Sequence, residues 1–158
     1  MKRIPKWLSI IPLILAIGGA AYMYQQALVQ PSFLGLPTVP CINPTLPVVQ
    51  DYTLHISISI GGRPYPLSTS IGHDPGNCLR VVHTNDSSGL VYVHTNDHVQ
   101  YTLGNFFQAW RTVFGKGQFA GYRVTAGHSL QVLVNGSQVD TYSATPLEPN
   151  ANIEVVYQ

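Results

Sequence analysis

One tetrapeptide occurs twice in the chain, as His83-Thr84-Asn85-Asp86 and as His94-Thr95-Asn96-Asp97, eleven residues apart. A further histidine, His98, follows the second copy directly, so half of the six histidines lie within sixteen positions. Imidazole is the commonest transition-metal ligand and titrates near neutral pH. His83, His94 and His98 are therefore the candidate ligands of a copper or zinc site, which is the alternative to the expected domain without a cofactor.

The register of the hairpin that carries the histidines decides whether they can meet, because side chains alternate faces along a strand. Pairing of Thr84 with Leu90 would turn His83 and His94 to opposite faces. Pairing of Thr84 with Gly89 would place both on one face, where a third ligand needs the chain to bend back. The sequence favours a structural interpretation of the tetrapeptide, since Thr suits strands while Asn and Asp close turns.

The N-terminus predicts a membrane anchor. Three of the first six residues are basic, and an uncharged, mainly apolar run follows over residues 7–24. As a helix this run would rise about 27 Å, close to the roughly 30 Å hydrocarbon core of a bilayer. The next basic residue is Arg63, so we expect a single-pass cell-membrane protein with a cytoplasmic N-terminus. A cleaved signal peptide is the alternative, since Gly19-Ala20-Ala21 offers small residues for cleavage.

Three segments follow from this pattern. Residues 1–24 are predicted to be a cytoplasmic stub and transmembrane signal-anchor, residues 25–50 a Pro-rich linker, and residues 51–158 an extracytoplasmic domain. The linker holds five prolines and no charged residue, which is typical of an extended, semi-rigid chain. Cys41 and Cys78 lie beyond the anchor, so the even cysteine count predicts a disulfide in an oxidising compartment.

Charge narrows the choice of partners. Three of the eight basic residues precede the apolar run, which leaves five basic and seven acidic residues after it, a formal charge of −2. This part of the chain carries no basic stripe, so we expect no nucleic-acid partner. The membrane itself, through the N-terminal helix, and a membrane protein are the partners that we expect.

The periodicity of the domain indicates an α+β fold. One amphipathic helix is predicted over residues 103–114, with Thr102 as N-cap and Gly115 as the stop, and its apolar stripe is assigned to the core. Gly61-Gly62 and Asn135-Gly136 are predicted hairpin turns. We expect a mostly antiparallel sheet of hairpins packed on the helix, similar to β-grasp folds. Alternating or short apolar runs predict strands at residues 54–60, 63–67, 79–82, 90–93, 122–125, 130–134, 138–142 and 153–157.

Residues 83–94 (HTNDSSGLVYVH) and 101–110 (YTLGNFFQAW) resemble an uncharacterised family of membrane-anchored extracytoplasmic prokaryotic domains. The family pattern is L-H-T-H-D-x-S-G-(I/V)-(I/V)-H-(I/V)-E, followed by F-T-L-G-x-F-F-x-x-W-G, and the resemblance covers most of the predicted domain. It implies no established activity. Of the three histidines and one glutamate in the first motif only the histidine at His83 is shared, because Asn85, Tyr92 and His94 replace the other two histidines and the glutamate.

The sequence contains no recognisable catalytic constellation. There is no G-x-S-x-G nucleophile elbow. Ser87, His94 and Asp97 are the residue types of a hydrolase triad, but their closeness in sequence is no evidence of triad geometry. Gly115-Lys116-Gly117 follows the predicted helix, whereas a phosphate-binding loop precedes one. We therefore expect a non-enzymatic, membrane-anchored extracytoplasmic binding or interaction module of unknown ligand. A copper- or zinc-binding domain is the alternative, and a metal-dependent enzyme ranks third.

Overall fold

The computed structural model describes residues 38–158, so the predicted anchor over residues 7–24 lies outside the described range. Within residues 38–158, no helix is long and apolar enough to cross a membrane. The elements in chain order are β1 (Gln50–Ile60), β2 (Arg63–Pro64), β3 (His73–Asp74), β4 (Cys78–Leu79), β5 (Val82–His83), β6 (Leu90–Thr95), α1 (Leu103–Ala109), β7 (Phe114–Gly115), β8 (Gln118–Phe119), β9 (Tyr122–Arg123), β10 (Leu130–Val134), β11 (Ser137–Val139), a 3-10 helix (Tyr142–Ala144) and β12 (Asn152–Tyr157).

The main sheet has the strand order β11-β10-β12-β1-β6-β5, with β2 paired to the end of β1. All of its pairs are antiparallel except β1 with β12, which run parallel. The prediction of a mostly antiparallel sheet with one α-helix is thus confirmed for the described residues. Two short sheets, β3-β4 and β7-β8-β9, complete the strands.

Alternation along β1 gives the sheet a buried face and an open face. Leu54, Ile56 and Ile58 are buried, while His55 between them is exposed. His55 donates from Nε2 to the carbonyl of Ser88 at 3.0 Å, so this histidine braces a loop on the open face. Helix α1 and the buried face share one apolar core.

Helix α1 ends at Ala109, so it is shorter than the helix that the apolar stripe predicted over residues 103–114. Arg111 takes the left-handed conformation, with φ of +57°. Its N–H donates to the carbonyl of Gln108 at 3.0 Å, and the N–H of Thr112 donates to the carbonyl of Phe107 at 2.9 Å. These two bonds form a Schellman motif, which terminates the helix with arginine at the position that glycine usually occupies.

The aromatic residues beyond the helix end nevertheless belong to the core, as predicted. Phe114, assigned by the stripe to the helix, lies instead on β7 and is fully buried. Its ring stacks on Phe107 with a centroid distance of 4.2 Å. The chain thus turns back after α1 and returns an aromatic side chain to the same core.

Replacing Arg111 with glycine is expected to stabilise the domain by roughly 0.5–1 kcal/mol, because glycine adopts a positive φ without steric cost. The Arg111 contact to Asp74 at 3.0 Å is solvent-exposed on the arginine side, so its loss subtracts little. Gln108→Gly, inside the helix, should instead destabilise by about 1 kcal/mol. Urea unfolding of both variants checks the helix end: a continuous helix through residue 111 would make both substitutions destabilising.

Candidate ligand-binding groove

An open groove of about 400 Å³ lies between residues 42–48 and the edge of the main sheet that carries β5 and β6. Its volume falls within the roughly 300–1,000 Å³ typical of ligand sites, and its lining is mainly apolar with a few polar groups. We call it the histidine groove. Its lining residues are Ile42, Asn43, Pro44, Leu46, Val48, Asn77, Leu79, His83 and His94.

The strand register places His83 and His94 on the same face of the sheet. His83 on β5 pairs with Tyr92 on β6, and His94 lies two residues further along β6. This register is two residues away from the pairing of Thr84 with Gly89, one of the two alternatives that the sequence left open. An offset of two preserves the face, so the histidines share it as that pairing predicted.

His83 is buried, with 5% of its surface exposed. Its Nδ1 lies 3.0 Å from the carbonyl oxygen of Arg80. A carbonyl only accepts, so Nδ1 carries the proton and the lone pair belongs to Nε2. Among residues 38–158 no buried side-chain nitrogen or oxygen lacks a hydrogen-bond partner. Since Nε2 of His83 has no such partner there, this atom is not fully buried, and the ring itself lines the groove.

The electrostatic surroundings keep His83 uncharged. Burial lowers the pKa of His83 below its ordinary value of 6.5, and the nearby rings of His73 and His94 lower it further. The hydrogen bond to the carbonyl of Arg80 acts in the opposite direction. One face of the ring stacks on Tyr92 at a centroid distance of 5.4 Å. The neutral ring therefore presents a nitrogen lone pair, not a positive charge.

His94 lies beside a carboxylate. Its Nδ1 lies 3.5 Å from Oδ1 of Asp51, the residue that pairs with it on β1. About a third of the His94 side chain is exposed, against 68% for Asp51. With Nδ1 directed toward the carboxylate, Nε2 is the nitrogen left for a ligand. His83 is thus held by a hydrogen bond at Nδ1, whereas His94 has its Nδ1 beside a carboxylate.

The third predicted ligand, His98, is exposed and does not line the groove. Asp97 is also engaged elsewhere, because its Oδ1 accepts from the hydroxyl of Thr95 at 2.7 Å and its Oδ2 from the hydroxyl of Tyr101 at 3.3 Å. In the described part of the chain, no group of three or more His, Cys, Asp or Glu side chains is placed to hold a metal ion. The groove thus offers two protein nitrogens to a ligand.

The wall of the groove is fixed to the sheet at both ends. The predicted Cys41–Cys78 disulfide is present, with a Cα–Cα distance of 5.3 Å. Next to it, the N–H of Ile42 donates to the carbonyl of Leu79 at 2.7 Å. At the far end, Asn96 accepts from the N–H of Asn43 at 2.8 Å and donates to the carbonyls of Leu46 and Pro47 at 3.2 and 3.0 Å. The groove is therefore formed before any ligand arrives.

The repeated tetrapeptide divides into structural and site-forming residues. Thr84 is fully buried and donates to the carbonyl of Ser68 at 2.9 Å. Asp86 closes a turn by accepting from the N–H of Ser88 at 2.9 Å. The threonines and aspartates are thus turn and strand-end residues, as the structural interpretation predicts. The two histidines and Asn96 are the members that build the groove.

Several residues of this site were not predicted from the sequence. Asp51 was placed at the start of the domain without a role, and residues 42–48 were assigned to a linker. His73, whose ring packs edge-on against His83 at a centroid distance of 5.9 Å, was not grouped with the other histidines. Face alternation along β1 was the one signal available for Asp51, since it shares the face of His55.

Comparisons with known protein families, with curated proteins and with solved structures find no match to this chain. The class of protein therefore has to be inferred from the fold and the groove alone. They describe a mostly β domain with one helix and a preformed, largely apolar groove that contains two imidazoles.

Protonation of His83 is expected to make the domain less stable in acid. The unfolded chain binds this proton more readily, so the stability from the neutral ring is full above about pH 6.5. It declines as the pH falls through the lower folded-state pKa, by at most about 1.4 kcal/mol per pH unit. Urea unfolding between about pH 8 and pH 4 measures this slope. His83→Asn should flatten it while exposed His98→Asn leaves it unchanged, and equal slopes in all three proteins would refute the assignment.

Proposed function

We propose that this chain is a membrane-anchored extracytoplasmic binding module that holds a small ligand in the histidine groove. The observation that carries the proposal is the placement of His83 and His94 on one face beside a preformed apolar wall, with Nδ1 of His83 bonded to a carbonyl and Nδ1 of His94 next to Asp51. Such a site is ordered before binding, so little conformational entropy is lost when a ligand enters.

The chemistry of the groove selects the ligand. The lone pair on Nε2 of His83 needs a hydrogen-bond donor or a metal cation, while Ile42, Leu46 and Val48 favour an apolar body. A strongly anionic ligand would meet no cationic side chain among the residues that line the groove. The expected ligand is therefore compact, and it donates hydrogen bonds or accepts electron pairs.

The cellular setting is part of the same proposal. The basic N-terminus and apolar residues 7–24 support a single-pass anchor with the domain outside, where a membrane protein could deliver or receive the ligand. The disulfide is in keeping with an oxidising exterior. The parallel pairing of the first and last strands supports a β-grasp-like arrangement.

The binding proposal is tested with indole, a probe that joins an apolar body to one N–H donor. Titrated into the detergent-purified full-length chain, it should give saturable NMR shifts at the groove residues. Val48→Asp, which adds a charge to the wall, should weaken binding by about tenfold or more. Val124→Asp is the matched control, because Val48 and Val124 are both exposed valines, 46% and 38%. Shifts that do not saturate, or equal effects of the two variants, would overturn the proposal.

Copper or zinc is the second candidate ligand. The specific observation in its favour is the bond from Nδ1 of His83 to a backbone carbonyl, together with the carboxylate of Asp51 beside Nδ1 of His94. Metal-binding histidines characteristically donate their second ring nitrogen to such a partner, which fixes the tautomer and the ring orientation.

A further inference from the structure

We propose that His83 and His94 bind one cuprous ion, Cu(I), through their two Nε2 atoms in the histidine groove. This inference rests on the proposed function, because it names the ligand of that same groove. The site would use two protein nitrogens and no carboxylate.

The sheet geometry brings the two rings within reach of one ion. His83 lies directly opposite Tyr92, and His94 is the next residue on that face of β6. Diagonal neighbours of this kind have Cβ atoms up to about 7–8 Å apart, close enough for ring side chains to meet. Both rings line the same groove. The proposed site requires both Nε2 atoms to turn toward one point between the two strands.

The number of ligands separates copper from zinc. Structural zinc sites use four protein ligands and catalytic sites three, and residues 38–158 contain no group of three. Cuprous ion, a closed-shell cation, is satisfied by two nitrogens in a near-linear arrangement, and imidazole suits copper. The two imidazoles thus fit an ion that needs only two protein ligands.

The apolar wall selects the lower oxidation state. A low-dielectric site penalises a divalent ion more than a monovalent one, because the cost of removing water rises with charge. Ile42, Leu46, Val48 and Leu79 give the groove beside the two imidazoles a mainly apolar lining. No carboxylate lines the groove to balance a second positive charge, and Asp51 lies behind the His94 ring at its Nδ1. Cu(I) is therefore favoured over both Cu(II) and Zn(II).

Thiol chemistry does not compete for the ion. The chain has two cysteines, and they form the Cys41–Cys78 disulfide. Ascorbate can therefore keep copper reduced during a measurement while the disulfide stays intact. The two methionines of the sequence lie outside the described residues and are retained in every variant, so they cancel from the comparisons.

The experiment is an anaerobic competition titration of the full-length protein with Cu(I) and bicinchoninate in ascorbate. We expect one equivalent to bind and X-ray absorption to show two nitrogen scatterers with imidazole outer shells. His83→Asn and His94→Asn retain a donor near the position of Nδ1 but lose Nε2. Each should weaken binding by more than the roughly 10–100-fold that an outer-shell change costs. Asp51→Asn should fall within that range, and His98→Asn should have no effect.

Four results would overturn the copper site: no saturable binding, binding insensitive to His83→Asn and His94→Asn in variants with native NMR spectra, equally tight binding of zinc, or a third protein ligand in the absorption spectrum. The indole titration on the same preparation separates the two proposals. Indole binding without copper binding rejects the cuprous site alone, whereas loss of both rejects the groove as a ligand site.

Discussion

Replacing both cysteines with alanine, Cys41→Ala with Cys78→Ala, is expected to lower the free energy of unfolding by about 4 kcal/mol. The bond links positions 37 residues apart, and without it the unfolded chain regains the entropy of an open loop of that length. A domain of this size has only about 5–15 kcal/mol of stability, so the loss is a large fraction of the total.

The same substitution should loosen the groove. Once the disulfide is absent, the start of the wall depends on backbone bonds such as Ile42 to Leu79 at 2.7 Å, while Asn96 still holds the far end. Indole affinity should therefore fall even in conditions where the double variant is fully folded. Backbone amide exchange over residues 40–48 should rise in parallel, since the opening of this segment no longer strains a covalent link.

Urea unfolding with and without a phosphine reductant measures the effect. The reductant should destabilise the wild type to the level of the double variant and leave the variant itself unchanged, which controls for the alanine side chains. A difference below about 1 kcal/mol between oxidised and reduced wild type would contradict the loop-closure argument.

Much of the fold could be predicted because it depends on local pattern. Strand β10 occupies exactly the predicted residues, and the turn at Asn135-Gly136 has the two positive φ angles, +51° and +81°, that its sequence requires. The disulfide followed from the cysteine count together with the predicted compartment. In each case the physical cause lies either within a few neighbouring residues or in the one disulfide that two cysteines can form.

The helix end could not be predicted for the opposite reason. Its apolar stripe continues to Phe114, and no glycine marks the true stop, because Arg111 takes the left-handed position itself. Burial of Phe114 from the returning strand β7 satisfies the same hydrophobic pattern that a longer helix would. The spacing of three and four residues therefore identified the core residues correctly but not the backbone conformation of those beyond the helix end.

The placement of His83 and His94 on one face was one of two alternatives in the sequence, whereas the surroundings of the two rings were not predicted. Face alternation limits His83 and His94 to two relations, and the sequence contained both alternatives. The wall depends instead on contacts such as Asn96 to Asn43, which are 53 residues apart. Neither periodicity nor turn chemistry contains information about contacts at that separation, so a groove between a linker and a strand edge is visible only in the folded chain.

Replacing Phe107 with alanine is expected to cost about 3–5 kcal/mol of stability, the range for truncating a buried aromatic side chain. Phe107 is 1% exposed, and it is the one position of α1 whose ring meets both the helix and the returning hairpin. Its ring centroid lies 5.3 Å from Phe106, 5.9 Å from Trp110, 4.2 Å from Phe114 and 5.5 Å from Phe119. The cavity left by the substitution would therefore open between α1 and the β7-β8 hairpin, where no single neighbour can fill it.

Chemical denaturation followed by circular dichroism checks this value against Tyr122→Ala. Tyr122 is 42% exposed and has one aromatic neighbour, Tyr157 at 5.4 Å, so its truncation should cost at most about 1.5 kcal/mol. A Phe107 effect no larger than the Tyr122 effect would mean that the hairpin contributes nothing to the core. Because the groove lies on the other face of the sheet, folded Phe107→Ala protein should still bind indole with unchanged affinity. A stability loss without a binding loss would establish that the aromatic core and the histidine groove are separate parts of one domain.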